Sequence, residues 1–195
     1  MFIIVALIYF SVTGYFSGED EKYITALNDA LCGTGDFPRG ATKIFDFLYL
    51  GGQAEATDLT FIQCNKITHV INCAADYIRL DADFYGTEHP IKYTEFYAED
   101  LENYDMMQHI EEAYAAIEDA RVNGGRVLIH CIAGVNRSGF LTVAYVMRHK
   151  RMDPIKAAVM IRKARGTLLT NEGFQQQLIE FARKENLLPN LDAKV

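Results

Sequence analysis

Cysteine is scarce in this sequence. There are four in 195 residues, too few for the disulfide framework of a small secreted scaffold. Positive charge is also short, with 19 lysines and arginines against 26 aspartates and glutamates and a net charge of −7. A surface of that balance does not suit nucleic acid or anionic membrane as a partner. The five histidines show no ligand spacing such as His-x-x-x-His, so no metal and no cofactor is expected. Repeats and low-complexity tracts are absent. With 50% hydrophobic and 23% charged residues, the composition is that of one globular domain rather than a disordered or fibrous chain. Two glycine pairs lack what a nucleotide-binding loop needs. Gly33-x-Gly35 has no strand before it and no third glycine, and Gly134-x4-Gly139 is followed by Phe140 where a lysine is required.

What is present is unevenly distributed. Residues 1–125 carry a net charge of −14 and residues 126–195 a net of +7, which predicts a local anion site in the last third. The first 16 residues are almost entirely apolar, with an unbroken run from Phe2 to Phe10. Three readings of them stand: a segment packed on its own domain or on a partner, a signal peptide without the usual basic start, or a membrane contact through residues 2–16. As a spanning anchor, 15 residues reach roughly 22 Å, short of a core of about 30 Å. Residues 17–42 read as a polar linker with a short helix at 23–31. From residue 43 strands and helices alternate. Strands are predicted at Phe47–Leu50, Ile67–Cys73, Ile91–Tyr97 and Arg126–His130. Helices are predicted at Ala54–Asn65, from Met106 to about Asn123, at Ser138–His149, from Pro154 behind an Asp153 cap, and around Phe174, Leu178 and Phe181. This is an α/β fold, a central mostly parallel twisted sheet flanked by helices. It divides the chain into an N-terminal segment 1–42, an α/β domain 43–188 and a tail 189–195.

The chemistry concentrates in one stretch. A strand ending at His130 leads into Cys131, a loop of Ile132, Ala133, Gly134, Val135 and Asn136, and a helix starting near Arg137 and Ser138. Ligands in such sheets bind at the carboxyl ends of strands. A loop entering a helix N-terminus aims several N–H groups at one point, which suits an oxyanion and favours a thiolate over a thiol. Arg137 adds a planar fork for two phosphate oxygens. Alone, each of these has an ordinary reading: an inert buried cysteine, a solvated arginine, a satisfied core histidine, a capping serine. Together, at this spacing, they make a nucleophile within an anion cradle. A leaving oxygen also needs an acid, and Glu99, Asp100, Glu102 and Asp105 follow the strand Ile91–Tyr97. Asp105 is the one placed to cap the next helix.

His130-Cys131-x5-Arg137-Ser138 resembles the signature of the cysteine-dependent protein phosphatases, and Ala133-Gly134-Val135-x-Arg137-Ser138 resembles its dual-specificity branch, over about residues 43–188. The resemblance implies hydrolysis of phosphotyrosine and phosphoserine/phosphothreonine in a protein substrate through a phosphocysteine. It gives Cys131 as nucleophile, Arg137 and the loop as phosphate binders and Asp100 as general acid. Ser138 assists departure of the thiolate, and His130 supports the loop. The absence of an aromatic insert before Gly51 implies a shallow, dual-specificity pocket. RNA 5′-triphosphatase, phosphoinositide or glycan phosphatase, and phosphoprotein-binding pseudophosphatase are the rival readings. Cys73 is either a plain buried cysteine or, as in the phosphoinositide branch, a disulfide partner for the nucleophile. Arg165 is expected near the pocket, facing acidic substrate flanks. A nucleophilic thiolate suits a reducing cytoplasm, with a secreted or membrane-associated location as the alternative that the apolar N-terminus raises.

Overall fold

The computed structural model describes residues 18–32, 36–86 and 90–191. The apolar run before residue 18, with the three readings attached to it, lies outside the described residues. Five strands form one sheet: β1 (Thr42–Phe45), β2 (Leu48–Gly51), β3 (His69–Asn72), β4 (Lys92–Glu95) and β5 (Val127–His130). Their order is β1-β2-β5-β3-β4; β1 runs antiparallel to β2 and every other pair is parallel. The expected mostly parallel α/β sheet is therefore what forms. Strand β1, an antiparallel edge, is an addition to the predicted set.

Both faces of the sheet are covered, so the central strands carry apolar side chains on each side. Alternation along the strands divides them. Leu48 and Val127, then Leu50, Ile129 and Ile71, belong to the larger core, and the row Tyr49, Leu128 and Val70 to the smaller one. The smaller core is roofed by two short helices, α2 (Gln53–Thr57) and α3 (Leu59–Cys64). A single helix was expected over Ala54–Asn65. It breaks because Asp58 is extended and its side chain accepts from the Phe61 amide at 3.0 Å, capping a new helix.

The larger core lies under α4 (Ile110–Val122), α5 (Arg137–Lys150), α6 (Pro154–Arg165) and α7 (Glu172–Lys184). Helix α4 starts later than the apolar spacing from Met106 suggested. Asp105 accepts from the Met107 amide at 2.9 Å ahead of a 3-10 turn, Met107–His109, whose cap position is Met106; Asp105 therefore does not cap the helix as expected. Asp153 caps α6 by accepting from the Lys156 amide at 2.9 Å, with Pro154 in its first turn. Before the sheet, α1 (Gly18–Leu31) packs against α6 and α7 and buries Leu27. Among the described residues no helix is long and apolar enough to cross a membrane.

Candidate active site

Strand β5 ends at His130, and the loop 131–136 joins it to the N-terminus of α5. Four successive loop carbonyls are held from outside. Ile132 O accepts from Gln53 N at 2.9 Å and Val135 O from Leu169 N at 3.1 Å. Gly134 O accepts from Arg165 Nε at 2.6 Å and Ala133 O from Arg165 Nη2 at 3.2 Å. In a trans peptide unit the N–H points opposite to the C=O. Turning these carbonyls outward aims the amides of Ala133, Gly134, Val135 and Asn136 at the loop's centre. The Gly134 amide reaches Cys131 Sγ at 3.3 Å. Gly134 itself has φ +68°, and a Cβ there would lie 2.3 Å from Gly51 O, so only glycine fits.

Cys131 and Arg137 are buried at 2% and 4% exposure. Ser138 Oγ donates to Cys131 Sγ at 3.2 Å, so it serves the sulfur and does not cap the helix. Arg137 Nη1 donates to Ala98 O at 3.1 Å, while its buried Nε has no partner among the described residues. A buried guanidinium N–H left without a partner is costly. His130 is fully buried, with Nδ1 3.4 Å from Cys131 O. Burial pulls its pKa down to about 4, so the ring is neutral at neutral pH.

Asp100 is the acidic residue that bonds to the loop. Its carboxylate accepts from Asn136 Nδ2 at 3.2 Å and from Asn171 Nδ2 at 3.0 Å. Asn136 Oδ1 accepts in turn from the Asn171 amide and Thr170 Oγ1, both at 3.2 Å. Glu99, Glu102 and Asp105 are also exposed on this segment but make no such bond. Asp100, Asn136 and Asn171 line an open cleft of about 640 Å³ together with Leu101, Glu102, Asn103 and Thr170. A second cavity, of about 500 Å³ between α3 and Tyr85, shares no residue with the loop.

Cys73 and Cys131 are brought together. β3 and β5 are neighbours with Asn72 opposite His130, and Cys73 N donates to His130 O at 2.8 Å. The two cysteines are thus the next pair in register, on one face of the sheet. Burial, and after it the charge of Cys131, push the Cys73 thiol well up, so it is protonated at neutral pH.

The expectation for Arg165 is corrected. Its side chain lies beneath the loop, at 5% exposure, and its Nη1 also donates to Leu50 O, Thr42 Oγ1 and Gly40 O. With its donors committed to loop and strand, it is a clamp and not a contact for substrate flanks.

Residues 48–184 match the family model "Dual specificity phosphatase, catalytic domain". The chain belongs to that family. Among its relatives, protein phosphatase Slingshot homolog 3 of Mus musculus is 34% identical over 140 residues, 71% of this chain and 20% of that protein. Dual specificity protein phosphatase 22-A of Danio rerio is 32% identical over 146 residues, 75% of this chain and 67% of that protein. The crystal structure of DUSP15 superposes with a TM-score of 0.68 at 33% identity, covering 76% of this chain and 92% of that one. The chain spans about a fifth of the length of the Slingshot relatives. Within the family framework, sequence reasoning missed the clamp Arg165 and the carboxylate-holding Asn171. Asn171 does signal itself as a helix cap, since its side chain accepts from Phe174 N at 3.2 Å.

Proposed function

We propose that the protein is a metal-independent phosphatase acting on phosphotyrosine and phosphoserine/phosphothreonine in proteins. The observation that supports this best is the buried Arg137, its Nε unpartnered among the described residues, six residues after a Cys131 whose sulfur accepts from the Gly134 amide and Ser138 Oγ. That arrangement lacks only three equatorial phosphoryl oxygens. The Cys131 thiolate bonds to phosphorus as the phosphorus–oxygen bond breaks, and Asp100 gives its proton to the departing oxygen. Arg137 and the loop amides hold the charge that builds on the equatorial oxygens. Asp100, now a carboxylate, takes a proton from water as the water oxygen bonds to phosphorus. The phosphorus–sulfur bond breaks, its electron pair returns to Sγ, and Ser138 steadies the thiolate by donating to it. Inorganic phosphate leaves and Asp100 is protonated again.

Turnover of matched phosphotyrosine and phosphothreonine peptides, set beside triphosphate RNA and phosphoinositides, tests the assignment. Peptide hydrolysis that disappears in Cys131→Ser is expected. Turnover of RNA or lipid alone overturns it. We further propose that Cys73 protects the nucleophile. Peroxide converts the Cys131 thiolate to a sulfenic acid, and the Cys73 thiol condenses with it, releasing water and forming a disulfide. Peptide mapping after peroxide treatment reads this out; sulfinic acid at Cys131 with no crosslink to Cys73 refutes it. Both proposals place the working protein in a reducing compartment such as the cytoplasm.

A further inference from the structure

The substrate class can be narrowed by what stands on either side of the Cys131 loop. Tyr77 is 62% exposed, yet its ring centroid lies 5.4 Å from the Arg137 guanidinium carbon. It is a large ring at the lip of the site, standing over the buried group that would hold phosphate. Its position is fixed by a buried polar anchor. Asn72, fully buried at the end of β3, donates from Nδ2 to Ile78 O at 2.7 Å and accepts from the Ala74 amide at 2.9 Å. The Tyr77 amide closes a turn on Ala74 O at 2.9 Å, and Ile78 next to it is in the core. The backbone on both sides of Tyr77 is thus tied down while the ring projects into solvent.

The other side of the loop is also apolar. Ile132 is 44% exposed, and its carbonyl is bound by Gln53, which follows β2. In the sheet, β5 lies between β2 and β3. Ile132 therefore stands on the β2 side of the phosphate loop and Tyr77, in the loop after β3, on the other. Two exposed apolar groups flank the entrance above one phosphate position, and no lysine or arginine lies within the loop before Arg137.

We infer that Tyr77 is a specificity-determining residue, forming with Ile132 a slot for the flat ring of phosphotyrosine. The aromatic wall comes from the turn after β3, without any insert before β2. A phosphotyrosine ring fills the slot and gains a ring–ring contact with Tyr77. A phosphothreonine is hydrolysed by the same machinery but leaves the slot empty. The inference rests on the phosphatase reading above and names its preferred substrate.

The test measures kcat and KM for matched phosphotyrosine and phosphothreonine peptides with wild type, Tyr77→Ala and Tyr77→Phe. Tyr77 is largely exposed, so both variants should fold, and thermal denaturation checks this. Wild type should prefer the phosphotyrosine peptide. Tyr77→Ala should raise KM for that peptide about 2- to 12-fold, the range of one aromatic contact. The phosphothreonine KM should move less than about 2-fold, and Tyr77→Phe should match wild type. Equal losses on both peptides would mean that Tyr77 only steadies Arg137, and no loss on either would mean an idle side chain; each overturns the inference while leaving the phosphatase reading intact. A wild-type protein that turns over neither peptide overturns both.

Discussion

The two ends of the sheet each hold a polar network, and they differ in one respect. At the amino ends of the strands, His69 Nε2 meets Asp119 Oδ2 at 3.0 Å and its Nδ1 meets Thr68 Oγ1 at 2.8 Å. Asp119 also accepts from Lys92 Nζ at 2.6 Å and from Asn123 Nδ2 at 2.8 Å. Lys92 and His69 together hold its carboxyl down at about 2. Thr68 Oγ1 accepts from Arg126 N at 2.9 Å. Threonine, histidine and aspartate in line have the form of a catalytic triad, but this network closes on itself. At the carboxyl ends, Arg137 Nε and His130 Nε2 are buried without a partner among the described residues, on the same strand-loop-helix segment as Cys131. A network that satisfies its own groups holds a fold together. One that leaves buried polar groups unpaired can take a partner that arrives from outside.

Substitutions at the two ends should therefore separate activity from stability. The largest effect is expected for Cys131→Ser, with turnover down at least about 10⁴-fold, the scale seen when a covalent nucleophile is removed, and no loss in thermal stability. Arg137→Lys, which keeps the charge but loses the fork, should cost about 10²- to 10³-fold in kcat. Near-normal turnover in either variant would erase the contrast between the two ends.

A smaller effect comes from Asn171→Ser, which keeps an oxygen to cap α7 but removes the amide that holds Asp100. Its kcat should fall about 10-fold for phosphoserine or phosphothreonine peptides, whose leaving oxygens need a proton. With p-nitrophenyl phosphate, whose leaving group departs unaided, kcat should hardly change. A uniform loss across both leaving groups would assign Asn171 a purely structural role.

His130 gives a pH-dependent stability. Its pKa is near 4 in the folded protein, against about 6.5 in an unfolded chain. Between these values the unfolded state binds the extra proton, so stability falls as pH drops from about 6.5 to 4, by about 2–3 kcal/mol. His130→Asn should flatten that part of a denaturation profile. The smallest effect belongs to the closed network. His69→Phe should lower stability by about 1–2 kcal/mol while kcat on phosphopeptides stays at the wild-type value.

The strand-loop-helix around Cys131 could be read from the sequence because its signals are local: an apolar run, a glycine and a helix start within a few residues. Asp100 came through resemblance, as the proposed general acid, since four carboxyl groups on one segment look alike until Asn136 and Asn171 bond to one of them. What the sequence hid was non-local. Arg165 looks like any basic residue ending an amphipathic helix, and its role depends on bringing residues 40, 42, 50, 133 and 134 around one side chain. Edge strand β1 was missed for the same reason, as Thr42–Phe45 has strand form only through its pairing with Leu48–Leu50. The split of α2 from α3 was signalled by Asp58, but an aspartate within a helical pattern is weak punctuation until its side chain is seen to cap.

The reach of Arg165 has a practical consequence for anyone trimming this chain. A fragment begun at the family boundary, residue 48, would remove Gly40 and Thr42, two of the three acceptors of its Nη1. It would also uncover the surface of α6 and α7 on which Leu27 rests. The Cys131 loop would still be encoded in full, yet its fastening would be loosened from behind. A fragment that keeps both these acceptors and the packing of α1 starts by Gly18, 30 residues before the family boundary.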